Sequence, residues 1–146
     1  MKILFSFLVL IIGTLLALQG VINAKLSTHL NHPIQAAVLS FCVGLSSLLF
    51  VSLLVKPTLP STSQLMAIPP YLLIGGLFGA IMVSSAIILI PQMGATPFIG
   101  GIIVGQLLGA MTFDHFGILG LPIQAINGKR ILGVLLLVAG FFLTRK

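Results

Sequence analysis

Four long apolar runs and one short one succeed each other along the chain, separated by brief polar stretches. Residues 3–24 carry no charge, and a helix of that length, at about 1.5 Å per residue, crosses a hydrocarbon core of about 30 Å. The polar turn KLSTHLNHP follows. Asn31 or His32 ahead of Pro33 makes a helix start, because a proline in the first helical position forfeits no hydrogen bond. The second run predicts a helix over 33–55, and KPTLPSTSQLMA, rich in proline and hydroxyl residues, reads as the most mobile loop. Pro69 and Pro70 open a third helix, 69–90. The short PQMGA connection then predicts a tight antiparallel hairpin with a fourth, 95–113. DHFGILGLPIQAING leads into the last run, of which 131–143 rises only about 20 Å. The fifth helix is therefore placed over 126–143, with Lys129 and Arg130 in its first turn reaching for the interface.

Composition decides what solvent surrounds these helices. The chain is 58% hydrophobic and 5% charged, with a mean hydropathy of +1.28, which leaves too little polar surface to cover a water-soluble fold. The expected architecture is all-α, a single integral membrane domain of five transmembrane helices with lipid as its outer partner. The first run is read as a retained helix in preference to a cleaved signal peptide, since it is long for such a segment and further spans follow. The net charge of +6 does not point to nucleic acid: its carriers lie at the ends of apolar runs, where basic side chains meet lipid head groups. Cys42, the one cysteine, excludes an internal disulfide and reads as a small apolar residue.

Five spans would put Lys2, Lys56, Lys129 and Arg130 on one side and Lys25, Arg145 and Lys146 on the other. So even a distribution gives the positive-inside rule little to act on. Insertion in both orientations, and pairing of oppositely inserted copies, follow as expectations.

Several residues inside the apolar runs need an explanation. Gly101, Gly105 and Gly109 recur at intervals of four in the fourth helix, and Gly75 and Gly79 repeat the spacing in the third; bare backbone of this kind lets another helix approach, so helix packing is their expected role. Gln19 and Asn23 share a face of the first helix, and Gln106 sits near the middle of the fourth. An amide left without partners in hydrocarbon costs several kcal/mol, so these three must face protein, water or substrate. Asp114, the only acidic residue, falls at or just inside the interface. An ion pair with Arg130, closing the hairpin between the last two helices, is preferred to a role in proton coupling. The chain shows no paired carboxylates, no nucleophile beside a base, no phosphate-cradling glycine loop and no cluster with metal-ligand spacing, so neither enzyme chemistry nor a metal or other cofactor is expected.

Taken in order, LQGVIN, NHPIQAAVLSFCVG, GGLFGA, PQMGA, GQLLGAMTFDHFG and KRILGVLLLVAG resemble the YdcZ family, a branch of the drug/metabolite transporter superfamily of bacterial inner-membrane exporters. The resemblance covers nearly the whole chain. It implies a five-helix half-transporter working as an antiparallel homodimer or beside an oppositely oriented homologous chain. It also matches Gln19 and Asn23 to an amide motif of helix 1, Gln106 to the glutamine of helix 4, Asp114 with His115 and Gly117 to the motif after it, and Arg130 to the basic residue opening the last helix. The small multidrug resistance proteins, which the family is similar to in its pairing, use a carboxylate within helix 1, and no acid stands there in this chain. The expectation is a small-molecule exporter whose substrate-binding groups are Gln19, Asn23 and Gln106, with Asp114 and Arg130 as gate or structural ion pair. The alternative is a non-transporting membrane subunit that stabilises a larger complex.

Overall fold

The computed structural model describes residues 2–144, with side chains from Leu4 onward; Arg145, Lys146 and the side chain of Lys2, three of the charges on which the orientation argument rests, lie outside the described residues. The described chain is predominantly helical, without strands. Helix α1 spans Lys2–Ser27, α2 Pro33–Val55, α3 Thr62–Met66, α4 Gly75–Met93 after a 3₁₀ turn at Pro70–Ile74, α5 Ala95–Phe116, and α6 Gly128–Thr144 after a 3₁₀ turn at Ile118–Gly120.

Among the described residues, four segments are long and apolar enough to cross a membrane: Leu4–Ser27, Pro33–Val55, Pro70–Met93 and Ala95–Phe116. Their side chains show little amphipathic division, as expected where lipid contacts most of the circumference. Helix α6, with 17 residues, rises about 25 Å, short of a hydrocarbon core of about 30 Å.

Local chemistry explains most of the helix ends. At α2, His32 accepts the Ile34 N–H through Nδ1 at 3.2 Å, and Gln35 Oε1 accepts the N–H groups of Asn31 and His32 at 3.1 and 3.2 Å. This capping box satisfies donors that a helix start leaves unpaired. A second box, Ser61 with Gln64, starts α3 inside the stretch expected to be loop. The hydroxyls there serve as caps and local acceptors, and one turn of helix results.

Helix α4 continues past the expected end at residue 90, carrying Pro91 within its last turn. Proline lacks the N–H that would reach the Ile87 carbonyl, and the helix nonetheless continues to Met93; the Gln92 side chain, through Nε2, donates to the Ile88 carbonyl at 2.9 Å. Gly94 follows, with φ 87°, a conformation that a Cβ would disfavour. The PQMGA segment is thus helix up to this glycine, and the connection is a single residue. Helix α5 runs three residues beyond the expected 113, so Asp114 belongs to its last turn. It closes on Gly117 in the left-handed region, whose N–H donates to the Phe113 carbonyl.

The helices group into two compact units, Met1–Gln92 and Met93–Lys146. In the first, Ala36, Ala37 and Ile87 form the buried cluster, with Leu26, Leu30 and Val83 packed against it. Alanines here let the helices approach, and one isoleucine fills the space between them. Helix α1 meets α4 at Gly20, where an added Cβ would fall 2.9 Å from Ile90 Cδ1. Gly79 lies near the Phe41 ring, at 3.8 Å by the same measure, whereas Gly75 has no neighbour within 4 Å.

In the second unit, α5 and α6 pack at Gly100 and Gly101, each 3.3 Å from the Phe141 ring by that measure. The other rungs of the glycine ladder differ: Gly109 lies beside Phe113 of its own helix, and Gly105 has no neighbour within 4 Å. Phe98, Met111 and Val134 are the buried apolar side chains of this unit.

Candidate functional site

Two sets of polar groups sit where apolar surroundings make them costly. The first is the amides. Asn23 is 5% exposed, three residues after Gly20 and therefore on the face of α1 that meets α4. Gln19 and Gln106 are exposed on membrane-crossing helices, and Gln106 occupies the middle of α5. None of the three amides hydrogen-bonds within the described residues. No side-chain nitrogen or oxygen there is sealed off without a partner, so the Asn23 amide keeps contact with the surface. Gln19 and Asn23 belong to the first unit and Gln106 to the second.

The second set closes the α5–α6 hairpin. Arg130 Nη1 lies 3.3 Å from Asp114 Oδ2, with about 30% of each side chain exposed. Arg130 also donates through Nη1 to the Gln124 carbonyl at 3.4 Å and through Nη2 to Gln124 Oε1. The connecting segment returns along the end of α5: the Gln124 N–H donates to the Asp114 carbonyl at 2.8 Å, and the Ile126 N–H to His115 Nδ1 at 3.4 Å. Asn127 Oδ1 accepts the Arg130 N–H at 3.0 Å and so caps the start of α6. Every one of these contacts lies within the second unit.

Each charge stands at the wrong end of its helix. Asp114 is in the last turn of α5, near the negative pole of the helix dipole, and Arg130 is in the first turn of α6, near a positive pole. Such placements cost a few tenths to about 1 kcal/mol each. Helix stability therefore does not account for either residue, and each is compensated by the other. The pair borders a cavity of about 260 Å³ between the two helices, lined by Leu107, Ala110, Met111, Asp114, Arg130 and Gly133.

Gln124 was not expected from the sequence. It lies in a non-helical segment six residues before Arg130, where no periodicity marks a contact. Asn127, by contrast, carried a legible signal, an Asn three residues ahead of the N–H it caps.

Long apolar helices, with amides on three of their positions that make no hydrogen bond among the described residues, define a multi-pass membrane protein. Residues 4–143 match the family described as "Putative inner membrane exporter, YdcZ", and the chain belongs to that family. It is 29% identical over 136 residues to the inner membrane protein YdcZ of Escherichia coli (strain K12), a match that covers 92% of this chain and 89% of the relative. No solved structure matches. The protein is a multi-pass inner-membrane protein.

Proposed function

We propose that the protein exports a small neutral or zwitterionic molecule by alternating access, as five-helix protomers paired antiparallel with an identical or homologous copy. Membership of an exporter family supports transport, and the observation that carries the mechanism is the set of unbonded amides, Gln19, Asn23 and Gln106, on membrane-crossing helices. Two inverted copies would supply these neutral donors and acceptors twice around one site, which is the symmetry alternating access requires. The one acid, Asp114, stands in the last turn of α5 and is already paired with Arg130, so a bare cation deep in the membrane would lack compensation, which favours solutes without net charge. In this reading α6 completes the span by drawing on residues at its ends, and the Asp114–Arg130 pair acts as a gate latch, one copy on each side of the membrane.

Reconstitution into liposomes tests the reading directly. Neutral and zwitterionic solutes should cross, and replacing Gln19, Asn23 or Gln106 singly by Leu should abolish flux while leaving assembly intact. Electrogenic movement of organic cations with neutral solutes left behind would overturn the substrate class. Reporters fused to the C-terminus should show both orientations, and a single orientation would remove the homodimeric antiparallel pair. Co-purification with a larger complex, with no flux from the isolated protein, is the result expected of a non-transporting subunit.

A further inference from the structure

We infer that the cavity between α5 and α6 binds a small dipolar ion, one ammonium and one oxyanion joined by a short linker, laid antiparallel to the Asp114–Arg130 pair. Four observations lead there. The pair forms a fixed dipole on the cavity wall, positive at Arg130 and negative at Asp114, with the charges 3.3 Å apart. Each end has bonding capacity left. Of the five N–H groups of a guanidinium, three are taken by Asp114 Oδ2, the Gln124 carbonyl and Gln124 Oε1. The carboxylate engages Arg130 through Oδ2, leaving Oδ1 to accept. The rest of the lining, Leu107, Ala110, Met111 and Gly133, is apolar, so it suits a hydrocarbon tail. At about 260 Å³ the space falls just below the range of drug-sized sites, as suits a metabolite of amino-acid size.

The electrostatics select for dipolar character. The pair as a whole is neutral, so the cavity offers no net attraction to an ion of either sign. A lone cation at Asp114 would compete with Arg130, and a lone anion at Arg130 would compete with Asp114, each leaving a partly desolvated charge short of its partner. A zwitterion supplies both counter-charges at once and need not break the existing bond. Loosening that bond is itself cheap, since ion pairs with this exposure contribute little. A ligand that shares both charges therefore makes the hairpin's closure easier to loosen, so that the latch responds to substrate. This last consequence rests on the transporter reading; the binding site does not.

Titration calorimetry on the purified, lipid-free chain in detergent tests the site with three probes sharing one tail: L-leucine, L-leucinamide, which has the ammonium alone, and 4-methylpentanoate, which has the carboxylate alone. Leucine should bind in the millimolar range or tighter, and the singly charged probes at least about tenfold more weakly. Gly133→Leu puts a side chain into the cavity from a position with no neighbour within 4 Å. It should lower leucine affinity at least about tenfold while the thermal transition is retained, and Ala110→Leu does the same from the opposite wall. Absence of leucine binding, equal binding of leucinamide, or unaltered binding in both filled variants would each overturn the inference. Nanodiscs separate the two sources of this chemistry: loss of leucine binding in phosphatidylethanolamine but not phosphatidylglycerol would identify a zwitterionic head group as the occupant, and retention in both a free solute. Because no flux is measured, failure here leaves the transport reading standing, and leucine binding without any transport would defeat that reading alone.

Discussion

The two helical hairpins that begin and end the chain solve the same problem in opposite ways. Between α1 and α2 the connection is five residues, 28–32, and its polar groups are satisfied by near neighbours: Thr28, His29 and Leu30 donate to carbonyls three residues back, and His32 and Gln35 complete the cap. Between α5 and α6 the connection runs over 117–127, and its closure depends on partners far apart in sequence, Asp114 with Arg130 and with Gln124, and His115 with Ile126. A short turn can be stable by itself. A long one holds only while its ends are bridged, and a bridge made of partly exposed charges can be opened for little free energy. The second hairpin is therefore the one that opens at the lower cost.

Five variants break or sharpen that comparison. The largest effect is expected at Gly117, where φ is 61° and an added Cβ would lie 2.8 Å from Ile123 Cγ1 and 3.2 Å from the Leu121 carbonyl. Gly117→Val should destabilise the folded state by about 3 kcal/mol, combining left-handed strain with the clash. Chemical unfolding in detergent, followed by helical circular dichroism, measures it. Gly120, φ 81° with open space around it, isolates the strain, and Gly120→Val should cost visibly less.

Arg130→Ala comes next. It removes the bonds to Asp114 and Gln124, and an effect of about 1–2 kcal/mol is expected, because the pair is only partly buried. Exchanging the charges, with Asp114→Arg and Arg130→Asp together, should also place each at the favourable end of its helix and recover part of the loss. A double exchange less stable than Arg130→Ala would show that the surrounding Gln124 contacts, not the pair, hold the hairpin.

Gln35→Ala should be the mildest, about 0.5–1 kcal/mol for the loss of half a capping box. Its effect should be confined to amide exchange around residues 31–35. If it proves more damaging than Arg130→Ala, the contrast between a locally sealed hairpin and a bridged one is wrong.

Which of these features could be read in advance follows from the range of the interactions. Helix α2 was legible to the residue, since Pro33 marks its start and the apolar run ends at Val55 before Lys56 and Pro57. The α4–α5 turn was legible in place but not in form. Pro91 suggests a break, yet the helix continues through it to Met93 and ends at Gly94, because a missing N–H costs one hydrogen bond and need not end a helix by itself. The glycine ladder gave a face without saying what covers it: Gly101 meets Phe141, while Gly105 meets nothing within its own unit.

Sequence alone determined the solvent and the element type. Long uncharged runs cannot be exposed to water, and helices satisfy their backbone inside lipid without outside help. It also singled out the few groups that such a setting penalises, Asn23, Gln106 and Asp114 among them. Beyond the Asp114–Arg130 pair that the sequence already suggested, tertiary structure alone decided how each group is treated: Asn23 buried at the approach of α1 to α4, Gln106 exposed in the middle of α5, and Gln124 joined to the ion pair as an unforeseen third member. Periodicity reports which face a residue occupies, because it is a property of one helix. What lies across that face depends on a second segment returning at a particular height and angle, and no spacing within a single run encodes that.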